Sequence, residues 1–506
     1  MDLCIIKYRP AVGRGEQNII TDRGILAVRS AQIGAASGKE QYLNAGAAVR
    51  QFVLQKMQTI VLGREGHTVM KIGLVAVGHP DYNAAGDIDL LQGEVQKALL
   101  DRGVLFYDAG IAYSIAGARE AGKALAGADV DGVVLLLASW MECSVTMALY
   151  REIEHLPLCM WGFPMWTEQG QEKSTGSYVS YTMFKGVLDR LGRSYKGVLG
   201  APEETADEVV RFSKVANAYQ RLKRCSVGLV GYTAMSIYTG TFDHVLMRAI
   251  VGPEIQHIDS YSLIRRAEKQ SLEARQAVAA RLRIMACVRA DVTEESLLKA
   301  AGLYLALMEL RQELSLDAVN VKCQYEFSKE YAMTMCVPLS LAADDGLLCS
   351  CEGDILCTVS MLILGYLTGQ TIAYGDAINH TGNTLKLSPC GFMPFALGHG
   401  KKEITNFMPN CGFSGIQASF VMKPGRVTVI RLVEDIGGYH IVYFTGEGLE
   451  TRKRQGWMPA LDVRLDGRME DLLDHYSGQH YAICYGDVTR EIEMLAKLLK
   501  VPTFRI

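Results

Sequence analysis

The sequence carries almost no net charge: 52 Lys and Arg against 55 Asp and Glu leave −3 over 506 residues. A balance so near zero offers no electrostatic footprint for nucleic acid or for an anionic membrane surface, so neither is expected as a partner. Runs of roughly 18–20 apolar residues, the length that crosses a bilayer, are missing as well. The longest candidate, 359–367, is broken by Gly365 and ends at Thr368-Gly369, and it reads as a buried helix. The start of the chain lacks the charged residues, apolar stretch and small-residue cleavage site of an export signal, which makes a cytoplasmic protein the expectation. The 13 cysteines never form a CxxC pair, and Cys349-Ser350-Cys351 is too tight for half of a zinc finger. Several sit in apolar runs, as Cys159 and Cys357 do, and read as reduced, buried thiols. GxxxxGK followed by Ser or Thr, GxSxG and HExxH are all absent, and Gly228–Gly231 has no third glycine at dinucleotide spacing. Phosphate cradling, hydride transfer and nucleophilic hydrolysis therefore have no support in the sequence.

What remains is a folded globular composition, 49% apolar and 21% charged, over a length that calls for two to four domains. Residues 1–69 show little apolar periodicity before 49–62 and read as an atypical N-terminal extension. Met70 then opens a β-rich run, and from Lys71 strands and helices alternate. Lys71–Val77, Gly132–Ala138 and Leu158–Phe163 are continuous apolar strands, and Ile88–Asp101 has helical spacing. Such strands imply a parallel sheet covered on both faces. A helix over Ala206–Arg224 carries Val209, Phe212, Ala216, Tyr219 and Leu222 on one face. Cys225–Gly231 then repeats the pattern of the first strand, and Ala318–Lys322 supplies another. After about residue 385 the texture changes. Arg426–Val433 and Tyr439–Thr445, joined through Gly437-Gly438, predict a hairpin, and Val488–Lys500 an amphipathic closing helix. The expected architecture is α/β: two successive open-sheet, Rossmann-like domains over 70–224 and 225–385, the second carrying the metal carboxylates, then a mainly antiparallel β domain over 386–506.

Three stretches bear chemistry. Val321-Lys-Cys-Gln-Tyr-Glu326 sets a carboxylate at a strand end. Ser350-Cys-Glu352-Gly353-Asp354 sets two acids around a glycine before an apolar helix, and Gly478-Gln479-His480 precedes a short strand. Ligands of open α/β sheets bind outside the carboxyl ends of strands. Acids gathered there suit a hard divalent cation such as Mn²⁺ or Mg²⁺. Each stretch alone has an ordinary reading too: acids at strand-to-helix junctions cap helices, and a lone histidine is commonly structural.

Together the stretches resemble the L-fucose/L-arabinose isomerase family of metal-dependent aldose–ketose isomerases. Cys351–Asp376 is similar to the family segment in which an acid-x-Asp pair leads into an apolar helix, a Leu-Thr-Gly turn and a strand ending in Asp. Gly478–Pro502 resembles its C-terminal motif, a metal-binding His before a Tyr-Gly strand end and a Leu-rich helix. Lys322-Cys-Gln-Tyr-Glu326 resembles the stretch supplying the first carboxylate. The likeness spans roughly 70–506 and is specific in the last two stretches. It implies Glu326, Asp354 and His480 as metal ligands, with Glu326 and Asp354 also catalytic. Glu352 competes with Asp354 for the second carboxylate role, and Asp376, Glu352 and Gln479 are implied to bind substrate. It further implies Mn²⁺ (or Mg²⁺ or Co²⁺) as cofactor and a small sugar as the partner molecule, either a neutral pentose or deoxyhexose or an acidic sugar such as sulfoquinovose. A homo-oligomer, a hexamer among the options, is implied as well. The chain departs from the family at Leu387-Ser388-Pro389-Cys390-Gly391, where several relatives carry a His-Cys pair. The rival reading is a sugar-binding or sensing protein of the same fold without catalysis.

Overall fold

The computed structural model describes residues 16–21, 24–29, 70–83, 86–233, 236–407, 412–453 and 458–506. The expected extension over 1–69 lies outside them, apart from strands Glu16–Thr21 and Gly24–Arg29, which pair antiparallel. The chain divides into two compact units, Met1–Tyr219 and Gln220–Ile506.

The first unit is built on five parallel strands: β1 (Lys71–Val77), β2 (Leu105–Ala112), β3 (Gly132–Leu137), β4 (Leu158–Gly162) and β5 (Lys196–Leu199). Their order is β2-β1-β3-β4-β5. Connections run through α1 (Asp87–Asp101), α2 (Ile115–Gly127), α3 (Cys143–Ile153) and α4 (Ser177–Arg190). Every residue of β3 is buried, which explains its unbroken apolar run: a strand covered on both faces has no polar side. Helix α5 (Pro202–Arg224) follows, with Val209, Phe212 and Ala216 fully buried on the expected stripe.

The second unit opens with another parallel sheet, β6 (Ser226–Val230), β7 (Glu254–Ile258), β8 (Ala318–Val321) and β9 (Leu348–Cys351), in the order β7-β6-β8-β9. Helix α6 (Ile355–Thr368) leaves β9. Besides a small three-stranded sheet of Cys287–Val288, Gly398–Asn406 and Ile416–Met422, the described residues of this unit form the strands β10 (Ala373–Thr381), β11 (Thr384–Leu387), β12 (Gly425–Asp435), β13 (Gly438–Leu449), β14 (Leu461–Leu465), β15 (His480–Tyr485) and β16 (Thr503–Arg505). They pair as β12-β15-β10-β11-β14-β13-β16. Because β12 also pairs with β13, the first six close into an antiparallel ring, and β16 adds in parallel to β13. Closure removes the exposed edges that an open antiparallel sheet would present. The expected hairpin is β12–β13, and the closing helix is α7 (Thr489–Leu499). Helix α6 packs against β8 and β9 on one side and β12 and β15 on another. That position accounts for its mostly apolar sequence, since only Gly365, Tyr366 and Thr368 near its end are partly exposed. Among the described residues, no helix is long and apolar enough to cross a membrane.

Candidate functional site

The site forms where the parallel sheet hands the chain to α6. After Cys351 two consecutive residues take left-handed backbone angles, Glu352 at φ 67° and Gly353 at φ 72°. A glutamate rarely adopts this conformation, and such strain collects at functional sites. Gly353 is needed for space as well as conformation: a Cβ there would lie 2.5 Å from Thr233 Cα and 2.6 Å from the Tyr232 carbonyl oxygen. The turn is fixed by Asn320 of β8, which is fully buried. Its Oδ1 accepts from Gly353 N–H at 2.7 Å, and its Nδ2 lies 3.2 Å from the carbonyl oxygens of both Cys351 and Asp354. Asp354 then caps α6, with Oδ1 accepting from Cys357 N–H at 3.0 Å.

The antiparallel ring supplies the other half. Asp376 on β10 stands directly opposite His480 on β15 in the strand register, the arrangement in which cross-strand side chains meet. His480 Nε2 lies 3.2 Å from Glu352 Oε2 and 3.1 Å from Asp376 Oδ1, while Nδ1 lies 2.8 Å from Asp354 Oδ2. Tyr374 packs on the imidazole with ring centroids 4.8 Å apart. Arg431 of β12 completes the group, donating from Nη1 to Asp354 Oδ2 at 2.9 Å and to the His480 carbonyl at 2.7 Å. Its Nη2 and Nε donate to the carbonyls of Thr239 and Ser477. Gly478 lets it approach, since a Cβ there would meet the guanidinium at 2.4 Å.

Electrostatics follow from this packing. Burial opposes a charged imidazole, but Asp376, Asp354 and Glu352 outweigh it and hold His480 well above its ordinary value. Burial pushes Asp354 up, yet Arg431 and His480 prevail and keep its carboxyl far below the usual range. Glu352 is likewise lowered, with burial overcome by His480 and Gln324 among its partners. Asp376 moves the other way. Burial raises it, His480 opposes, and the like charges of Glu352 and Asp354 add to the rise.

The residues singled out from the sequence are distributed as follows. His480, Glu352 and Asp376 offer ligand atoms within 4.8 Å of one another. Asp354 meets His480 from its other ring nitrogen. Glu326 is not among these atoms. It begins a short π-helical turn after Tyr325 (φ 73°) and pairs with the buried Lys322, whose Nζ donates to Oε1 at 2.5 Å. Gln479 accepts from the Thr239 hydroxyl at 3.4 Å. Two participants were missed. Arg431 could have been noticed as the single charge within Val-Thr-Val-Ile-Arg-Leu-Val. Gln324, whose Nε2 donates to Glu352 Oε1 at 3.0 Å, had no distinguishing signal.

The cluster fits a divalent cation. His480 Nε2 is buried and has no hydrogen-bond partner despite two carboxylate oxygens at 3.1–3.2 Å. One ligand atom from each of the three residues lies within 4.8 Å of the others. Ligands about 2.1 Å from an octahedral ion stand about 3.0 Å apart when adjacent, close to these separations. A metal-bound histidine commonly gives its second nitrogen to a carboxylate, as His480 does to Asp354. Asp376, with 20% of its side chain exposed, marks the accessible side; the other members are nearly or fully covered.

No family model matches the chain. It is similar to a sulfoquinovose isomerase from Alkalicoccus urumqiensis, 26% identical over 334 residues, covering 63% of this chain and 74% of the relative. A sulfoquinovose isomerase from Priestia aryabhattai is 24% identical (60% and 70% covered), and one from Clostridium sp. (strain MSTE9) is 23% identical (65% and 74%). A solved glucose-galactose binding protein from Geobacillus stearothermophilus is 13% identical, covers 60% of this chain and 93% of its own, and has a TM-score of 0.16, a likeness that carries no argument.

Proposed function

We propose that this chain is an aldose–ketose isomerase of sugars, working through an ene-diol proton transfer at a divalent-cation centre of Glu352, Asp376 and His480. One observation carries the reading: two carboxylates and an unpartnered imidazole nitrogen lie within 4.8 Å of one another, in a chain similar to several sulfoquinovose isomerases. The cation, Mn²⁺ by donor type, would act as a Lewis acid on the sugar's oxygens and so acidify the carbon-bound proton beside the carbonyl.

The chain's own groups divide the remaining work. Asp354 is a poor base, being fully buried and tied to Arg431, so its task is to hold His480 by Nδ1 and keep Nε2 aimed at the centre. Glu326, about one-third exposed beside Lys322, is the group proposed to take the C2 proton of the aldose and return it to C1. Asp376, at the accessible side with 20% of its side chain exposed, is proposed to lie beside the sugar hydroxyls as well as to hold the cation. Gln479 is proposed to contact the substrate. A sulfonated aldose heads the candidates because of the relatives' names, and neutral pentoses and deoxyhexoses follow.

The test is a panel of sulfoquinovose and neutral aldoses, assayed for ketose with and without Mn²⁺ in D₂O. Mn²⁺-dependent ketose carrying deuterium at C1, lost in Glu352→Gln and Glu326→Gln, is expected. Sugar binding without turnover under any metal would favour a binding protein instead.

A further inference from the structure

Beside Glu352 lies a second donor group that the isomerase reading leaves unused. Cys351 ends β9, and Cys390 sits in the 388–391 stretch that departs from the family pattern. Their sulfurs are 4.0 Å apart. With Glu352 they present ligand atoms within 4.8 Å of one another. The spacing excludes a disulfide and suits either a thiol–thiol hydrogen bond or a shared ion. A disulfide needs about 2.05 Å between sulfurs. Two thiolates each about 2.3 Å from one tetrahedral ion stand about 3.8 Å apart, which is close to what these sulfurs show. The position of Cys390 is supported from behind, where Cys336 Sγ contacts its carbonyl oxygen at 3.5 Å.

We propose that Cys351, Cys390 and Glu352 form a second cation site, for a thiophilic divalent ion such as Zn²⁺ or Cd²⁺, which weakens cation binding at the Glu352–Asp376–His480 centre because the two sites share the Glu352 carboxylate. Soft sulfur donors select such ions, whereas the carboxylate–imidazole set suits Mn²⁺ or Mg²⁺. Binding forms two metal–sulfur bonds and releases one proton from each thiol to solvent. Capture of a soft ion therefore draws part of the Glu352 charge away from the neighbouring centre and sets a second positive charge beside it. That this effect lowers catalysis rests on the proposed function, whereas the thiol site itself does not.

The experiment titrates the full chain with Cd²⁺ and reads the thiolate-to-cadmium charge-transfer absorption, with bound Mn²⁺ followed in parallel by electron paramagnetic resonance. The expected result is a band saturating at one Cd²⁺ per chain. It should persist in Cys287→Ser, which removes an exposed thiol elsewhere. It should weaken at least about 100-fold in Cys390→Ser, beyond the roughly 10–100-fold of an outer partner. Cd²⁺ should release Mn²⁺ from wild type at far lower concentration than from Cys390→Ser. Cys351→Ala should weaken the band likewise, and should that buried variant fail to fold, the less buried Cys390→Ser carries the test alone. No band, a band unchanged in Cys390→Ser, one lost in Cys287→Ser, or a Mn²⁺ affinity unaffected by Cd²⁺ would each overturn the proposal. If Mn²⁺ never binds while the cadmium band behaves as stated, the thiol site stands and the metal-dependent isomerase reading fails.

Discussion

At the scale of residues, Glu352 and Asp354 lie two positions apart and do different things. The Gly353 turn separates them, sending Glu352 to His480 Nε2 and Asp354 to Nδ1. Their substitutions should therefore separate as well. Glu352→Gln is expected to abolish Mn²⁺ binding, while Asp354→Asn should retain it about 10–100-fold more weakly, measured by titration calorimetry. Arg431→Met leaves Asp354 charged and buried, so unfolding in urea should show a loss of about 3–5 kcal/mol. Asp108 on β2 provides a pH signature apart from the site. Burial outweighs its bonds to Gly110, Gln96 and Gln92 and raises its carboxyl from 3.8 to about 6. With a raised folded-state value, the charged form costs the folded state. Stability from this group is thus greatest below pH 3.8, falls as pH rises to about 6 and is flat above. Relative to Asp108→Asn, wild type should lose on the order of 3 kcal/mol across that window; parallel profiles would contradict it.

At the scale of elements, what could be read in the sequence depended on whether a strand's environment was uniform. Lys71–Val77 and Gly132–Leu137 were legible because both faces are covered, and the β12–β13 hairpin because its glycine turn separates two β-branched runs. Ring closure was not legible, since β11 and β14 are short and their pairing joins residues about eighty positions apart. The same non-local register decides the site. Nothing in the local sequence of Asp376 says that it faces His480; the β10–β15 pairing does. So the acids and the imidazole could be listed from the sequence, while their division into ligand, positioning group and rim group could not. The Glu352–Gly353 turn is the element most exposed to test. Gly353→Ala adds a Cβ against the Tyr232 and Thr233 backbone at a positive φ, and about 2–5 kcal/mol of stability should be lost in urea unfolding.

At the scale of the whole molecule, the candidate centre belongs to the Gln220–Ile506 unit, built from the end of its parallel sheet and two strands of its antiparallel ring. A cation there would tie β9, β10 and β15 together. Mn²⁺ at 100 times its Kd should stabilise the protein by about 2.7 kcal/mol. Hydrogen exchange should slow in those strands and remain unchanged in β1 to β5. Uniform slowing across both units, or none, would speak against a metal centre at this place. The homo-oligomer implied by the family likeness is a separate proposal, checked by light scattering of the full chain.

The most direct measurement is anomalous X-ray scattering from crystals of the protein grown with Mn²⁺. One manganese peak within bonding distance of His480 Nε2, Glu352 and Asp376, with Asp354 on the far side of the imidazole, is the expected result. A well-measured map with no peak there, or with manganese bound at Glu326 and away from His480, would contradict the centre on which the proposed isomerase chemistry depends.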